Sequence, residues 1–154
     1  MKTLVAFYSR TGNTEKIGKL ISKNINADID TITDMKNRTR RIIGWLISGK
    51  DASQKSLTKI KYKKDPSKYD LVIIGTPIWS WTLTPAIRTY LTENNGKFKK
   101  VAFFCTSGGN KGKAFEEMKN LSKKPIATLE IRDKDVRKGH LQEELLKFCR
   151  KLGK

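Results

Sequence analysis

Near-continuous apolar runs alternate with amphipathic stretches along this chain. Runs rich in β-branched and aromatic residues stand at 3–8 (TLVAFY), 71–76 (LVIIGT) and 101–105 (VAFFC). A weaker run lies at 125–131 (PIATLEI) and a short one at 27–32 (ADIDTI). Runs without polar alternation suit strands covered on both faces, as in a parallel sheet. Between them, apolar residues recur at helical spacing: Ile17, Leu20, Ile21 and Ile25 in 13–25, then Phe115, Met118 and Leu121 in 111–122. Leu141, Leu145, Phe148 and Leu152 do the same in 139–152. Residues 85–94 open on Pro85, a residue suited to a first helical turn. The pattern predicts a strand–helix pair repeated five times. At 154 residues this is one domain, 1–154, an α/β fold with a doubly wound five-stranded parallel sheet and helices on both faces.

Segment 34–69 is the least regular. Within NRTRRIIGWLISGKD the spacing predicts a helix with Ile42, Ile43, Leu46 and Ile47 turned inward and Trp45 partly covered. An extended basic passage follows, LTKIKYKKDPSKYD. There is no internal repeat and no low-complexity stretch.

Composition narrows the class. Hydrophobic residues make up 37% and charged residues 31%, which is a globular rather than a disordered balance. No apolar run approaches the ~20 residues of a membrane span. Polar residues follow Tyr8 at once, so the N-terminus has no signal-peptide pattern. The two cysteines, Cys105 and Cys149, stand far apart and in no metal-ligand spacing, which fits a reduced, cytoplasmic setting. The unusual quantity is charge. There are 33 Lys and Arg against 15 Asp and Glu, a net +18 spread from Lys2 to Lys154. Such a surface attracts anions, whether nucleic acid, anionic lipid or an acidic protein.

In an open parallel sheet, ligands bind beyond the carboxyl ends of the strands. The loop after the first strand reads SRTGNT and carries three hydroxyls, Ser9, Thr11 and Thr14, with a glycine for a sharp turn. The following helix directs its free N–H groups and positive dipole end into that loop. Hydroxyls and amides without a lysine suit a phosphate, and their density exceeds what an N-cap requires. This stretch resembles the phosphate-binding loop of flavodoxins, Ser/Thr-x-Thr-Gly-Asn-Thr, at all five specified positions. Chain length and element order extend the resemblance over the whole chain. It implies strand order 2-1-3-4-5 with an uninterrupted fifth strand, and bound FMN with Ser9, Arg10, Thr11, Gly12, Asn13 and Thr14 around its phosphate.

Two further loops bear on the same ligand. After the third strand, Thr76, Pro77, Ile78, Trp79, Ser80 and Trp81 offer two indoles as a wall for a flat isoalloxazine. Trp79 matches the Pro-x-Trp of related flavoproteins, whereas Trp81 stands where many of them have glycine. After the fourth strand come Thr106, Ser107, Gly108, Gly109 and Asn110, with no aromatic of the kind many flavodoxins carry. The two glycines either let backbone N–H groups approach the flavin edge or merely form a turn. The ring is then covered by protein on one face, or capped by Trp81.

Other motifs fail at specified positions. SGGNKGKA has Ser107 and Ala114 where a P-loop needs Gly and Ser/Thr, and CTSGGNK has Lys111 where a phosphatase loop needs Arg. His140, the only histidine, is expected at the surface at the start of the last helix. No metal cluster can be assembled. The reading is an FMN-binding electron carrier moving one or two electrons, with no catalytic side chain. Flavodoxins are commonly acidic, so the reversed charge implies an acidic redox partner such as a ferredoxin- or rubredoxin-like carrier or a reductase. The alternatives are an FMN-dependent oxidoreductase acting on a quinone or related acceptor, and a basic nucleic-acid-binding module, for which no recognition motif is visible.

Overall fold

The structure, a computed structural model, describes residues 1–36 and 41–153, with the side chains at 41–45, 47 and 142 excepted. The expected inward placement of Ile42, Ile43 and Ile47, and that of Trp45, lie outside the described side chains. In chain order the elements are β1 (Thr3–Phe7), α1 (Asn13–Ile25), β2 (Asp28–Thr31), β3 (Thr33–Asp34), α2 (Arg41–Ser53), β4 (Ile60–Lys61) and β5 (Leu71–Trp79). Then come β6 (Thr82–Leu83), α3 (Pro85–Glu93), β7 (Lys100–Ser107), α4 (Ala114–Leu121), β8 (Thr128–Arg132), α5 (Asp133–Lys138) and α6 (Gln142–Leu152).

Five strands pair in parallel in the order β2-β1-β5-β7-β8. Counting only these five, that is the 2-1-3-4-5 order expected. Side-chain alternation divides the core in two. Leu4, Ala6, Val72, Ile74 and Phe103 face α3 and α4 with Ile87, Tyr90 and Met118. Val5, Phe7, Ile73 and Phe104 face α1 and α6 with Ile17, Ile21, Leu145 and Phe148. Both sheet faces are dry, which is why the strand sequences read as continuous apolar runs.

Four features differ from expectation. First, β5 runs on to Trp79 and folds back as β6, pairing Ile78 with Leu83 and Trp79 with Thr82. The two-residue turn, Ser80 and Trp81, has φ of 49° and 59°. Second, β3 and β4 form a separate antiparallel pair. Asp30 tethers the chain beyond β4, its carboxylate accepting from the Lys63 and Lys64 amides at 2.9 and 2.6 Å. Third, the last helical stretch is broken. Gly139 ends α5 in a left-handed conformation and α6 starts at Gln142, so His140 precedes the helix and is exposed. Fourth, Leu46 is not inward: it is 58% exposed. Among the described side chains of α2, the buried ones are Ser48 and Ala52, one turn apart. Leu46 lies two residues before Ser48, about 200° round the helix, and so takes the opposite face.

Candidate functional site

The carboxyl ends of β1, β5 and β7 bring three loops together, and specific contacts tie them pairwise. Thr14 and Thr106, both buried, share a hydroxyl–hydroxyl hydrogen bond of 2.8 Å. The Arg10 guanidinium lies over the Trp79 ring, 4.7 Å from its centroid. The Lys113 amide donates to the Trp81 carbonyl at 3.0 Å. Gly112 makes that last approach possible: a Cβ there would lie 1.9 Å from the Trp81 carbonyl oxygen, and its φ is 54°.

In the first loop, Gly12 is the N-cap of α1 at φ 96°, and no side chain caps the helix. The Thr11 hydroxyl is exposed and does not cap. Ser9 Oγ accepts from the Gly12 amide at 3.2 Å and keeps its own O–H to donate. The first backbone bond of the helix runs from Lys16 N–H to the Gly12 carbonyl, so the amides of Asn13, Thr14 and Glu15 precede the ladder. Two residues serve the scaffold through their side chains. Asn13 Nδ2 donates to Asp133 of α5 at 2.8 Å, and Thr14 is turned inward to Thr106.

The second loop carries the aromatic residues. Trp79 is buried, with Tyr8 edge-on at 5.6 Å and 86°. Thr76 is structural: its hydroxyl donates to the Pro77 carbonyl at 2.8 Å and accepts from the Thr84 amide at 3.2 Å. A cavity of about 380 Å³ opens beside Trp79, lined by Arg10, Leu46, Ser48, Lys50, Ile78 and Ser80 among others. Its size is in the range of small-molecule sites. Tyr8 and the α2 residues, Leu46 included, are the part that sequence reasoning missed. Trp81 does not line this cavity. It is 71% exposed and borders a separate depression with Lys55, Thr82, Lys113 and Glu117.

In the third loop, Ser107 donates to Glu130 Oε1 at 3.1 Å, and Asn110 Oδ1 accepts from the Gly112 amide at 2.7 Å. Gly108 and Gly109 are exposed, neither has a left-handed φ, and a Cβ on either would meet no atom within 4 Å. The turn therefore does not require them to be glycine. What their small size leaves is bare backbone facing open space. Cys105 is buried, and burial pushes its thiol well above the usual range, which is the wrong setting for a phosphatase nucleophile. Among the described residues no group of three His, Cys, Asp or Glu could hold a metal, and no helix is long and apolar enough to cross a membrane.

A family model described as flavodoxin matches residues 2–150. Among solved structures, the chain is similar to a flavoprotein from Lactobacillus acidophilus NCFM in complex with FMN. The identity is 25%, with 89% of this chain and 97% of that chain covered and a TM-score of 0.74. The apo-form of the flavoprotein from that organism aligns at 26% identity over 89% and 95%, with a TM-score of 0.67. Two-electron reduced flavodoxin from Megasphaera elsdenii shares the fold at 18% identity over 99% and 96%, with a TM-score of 0.55. Among proteins of curated function, none matches.

Proposed function

The chain belongs to the flavodoxin family, and on that premise we propose that it binds FMN and carries electrons between protein partners. The observation that carries the reading is the uncapped start of α1. Unladdered amides and the Ser9 hydroxyl meet there with no side-chain cap, beside exposed Thr11. The donor set fits a phosphate. The Trp79 wall, the bare Gly108–Gly109 backbone and the neighbouring cavity fit the flat ring of the same ligand.

Residues Ser9 to Thr14 would hold the phosphate, chiefly through backbone amides and the first two hydroxyls. Pro77 to Trp79 would form the apolar wall, and Gly108 to Asn110 would offer backbone donors at the opposite side. FMN supplies the redox chemistry when bound. The protein orients it and sets its electrostatic surroundings. Arg10 and Lys50, both at the cavity, favour negative charge there. Lys111 is partly committed to Glu130, at 3.5 Å. The +18 surface selects partners with an acidic face, and exposed charges separated beyond ~8 Å are screened at physiological ionic strength.

The test is a titration of apoprotein with FMN, followed by anaerobic reduction and mixing with oxidised rubredoxin or with a water-soluble quinone. A carrier reduces up to two rubredoxins per fully reduced flavin, since each takes one electron, does so faster at low salt, and does not turn over the quinone with NAD(P)H. Multiple turnovers of the quinone would instead mark an enzyme, and no flavin binding would remove the reading altogether.

Trp79 gives a residue-level check. Because it belongs to the core, truncation to alanine would open a cavity and blur the result. Trp79→Leu keeps part of the apolar bulk but loses the aromatic face. Aromatic contacts contribute about 0.5–1.5 kcal/mol beyond area burial, so FMN affinity is expected to fall several-fold, while the smaller side chain and the lost Tyr8 and Arg10 contacts lower the unfolding midpoint less than alanine would. An unaltered dissociation constant and flavin spectrum would confine Trp79 to packing.

A further inference from the structure

Four non-glycine residues among those described take a left-handed φ. Asn26 and Lys55 close α1 and α2 in the ordinary way, with the Ala27 and Ser56 amides returning to the Ser22 and Asp51 carbonyls. The other two, Ser80 and Trp81, make up the β5–β6 turn and border one depression. A bulky residue at φ 59° costs of order 1–3 kcal/mol, and such outliers persist where surrounding structure enforces them. A two-residue hairpin turn with both φ values positive is normally built from Asn and Gly.

The Trp81 backbone is used by the fold: its carbonyl receives the Lys113 amide and packs on Gly112. Glycine would make the same contacts without strain. The indole itself is 71% exposed, the most exposed large apolar side chain among the described residues. The fold therefore gains little from the side chain that makes this turn costly.

The surroundings indicate what the indole is for. Lys55 and Lys113 flank it, both exposed. The one carboxylate at the depression, Glu117, is drawn back against buried Arg88 at 2.5 Å and is 14% exposed. Lys55 approaches it only at 3.7 Å. The rim thus presents positive charge around an exposed indole, and Trp is a residue type enriched among interface hot spots. Ser80 belongs to both this depression and the cavity beside Trp79, so an anchor here lies next to the cofactor site without forming its wall.

We propose that Trp81, with Lys55 and Lys113, is the docking anchor for an acidic electron-transfer protein, seated at the rim of the flavin site. The proposal rests on the electron-carrier reading above. A single exposed aromatic does not supply the succession of stacking platforms that single-stranded nucleic acid uses, and the positive rim complements an acidic protein face.

The experiment compares wild type, Trp81→Gly, Trp81→Phe and the double variant Lys55→Gln/Lys113→Gln, each loaded with FMN. Stopped-flow mixing of dithionite-reduced protein with oxidised rubredoxin, a small acidic redox protein, reads the second-order rate at several salt concentrations. Trp81→Gly is expected to lower that rate about tenfold and Trp81→Phe to restore most of it. The double lysine variant is expected to flatten the salt dependence. FMN affinity should be unchanged in all of them, and the unfolding midpoint of Trp81→Gly should not fall. If wild type binds no FMN, the electron-carrier reading itself fails. If it binds FMN but Trp81→Gly reacts at the wild-type rate, or if rubredoxin is not reduced at all, the docking anchor is overturned. Weakened FMN binding in Trp81→Gly, or Trp81-dependent binding of an oligo-dT strand at physiological salt, overturns it as well.

Discussion

Glu117→Ala is expected to lower the unfolding free energy by about 3–5 kcal/mol, the usual consequence of stranding one member of a buried ion pair. Arg88 sits on α3 with its side chain 7% exposed, and its Nη2 donates to Glu117 Oε2 at 2.5 Å and to Thr82 Oγ1 at 3.3 Å. The Thr82 hydroxyl in turn donates to the same carboxylate at 2.7 Å. Arg88 Nε has no hydrogen-bond partner among the described residues, so Glu117 carries most of the compensation for the buried guanidinium. The three residues join α3, α4 and β6, and β6 holds the return strand of the Trp79 hairpin. For a chain of this length the loss corresponds to a midpoint lowered by roughly 10 °C. Thermal or urea unfolding of wild type, Glu117→Ala and Arg88→Met/Glu117→Leu checks it. The double variant should recover most of the stability, since no charge is left buried. A loss below about 1 kcal/mol in Glu117→Ala would mean that water reaches Arg88 and replaces its partner.

The same pair predicts a pH dependence. Burial pushes the Glu117 carboxyl up, but hydrogen bonds from Arg88 and Thr82, with the charge of Arg88, pull it further down, leaving it below the usual carboxylate range. A carboxyl depressed in the folded state binds its proton more readily when unfolded. Its contribution is therefore complete above the unfolded value of about 4.3 and is lost as pH falls through the lower folded value. The stability gap between wild type and Glu117→Ala should be flat from near-neutral pH down to about 5 and narrow below about 4.

These contacts mark where the sequence stopped being legible. The strands β1, β5, β7 and β8 and helix α1 followed from local patterns, because a doubly covered sheet leaves continuous apolar runs and α1 buries Ile17 and Ile21 at helical spacing. The turn after β1 was equally readable, since it lies in one contiguous stretch with Gly12 at φ 96° ahead of α1. What joins the site has no local trace. Arg88 and Glu117 are 29 residues apart, Thr14 and Thr106 are 92 apart, and Asn13 and Asp133 are 120 apart. Spacing showed α2 to be helical but misplaced Leu46, because the buried positions among its described side chains, Ser48 and Ala52, are small residues that weigh little in an apolar pattern. The β5–β6 turn was hidden for a different reason: Ser80 and Trp81 adopt a conformation that sequences normally advertise with Asn and Gly.

Riboflavin should bind at least a hundredfold more weakly than FMN. The two ligands share the ring and differ by the phosphate, so the comparison isolates the loop from Ser9 to Thr14. The start of α1 is prepared for an anion in three ways. Gly12 turns at φ 96° without a side-chain cap, the helix ladder begins only at Lys16, and Ser9 Oγ retains its proton to donate. A hydrogen bond to a charged group contributes a net ~1.5–3 kcal/mol. Two such bonds amount to about 3–6 kcal/mol, and each 1.4 kcal/mol is a factor of ten in affinity, so a discrimination of about 10²–10⁴ is expected. The helix dipole adds to it within the first turn. Flavin fluorescence titrations of apoprotein with each ligand measure the ratio, and inorganic phosphate should compete with FMN but not with riboflavin. Gly12→Ala places a Cβ at a left-handed φ and should shrink the ratio by weakening FMN alone. Affinities within threefold of each other would show that the loop holds no phosphate, and that the ring contacts at Trp79 dominate binding.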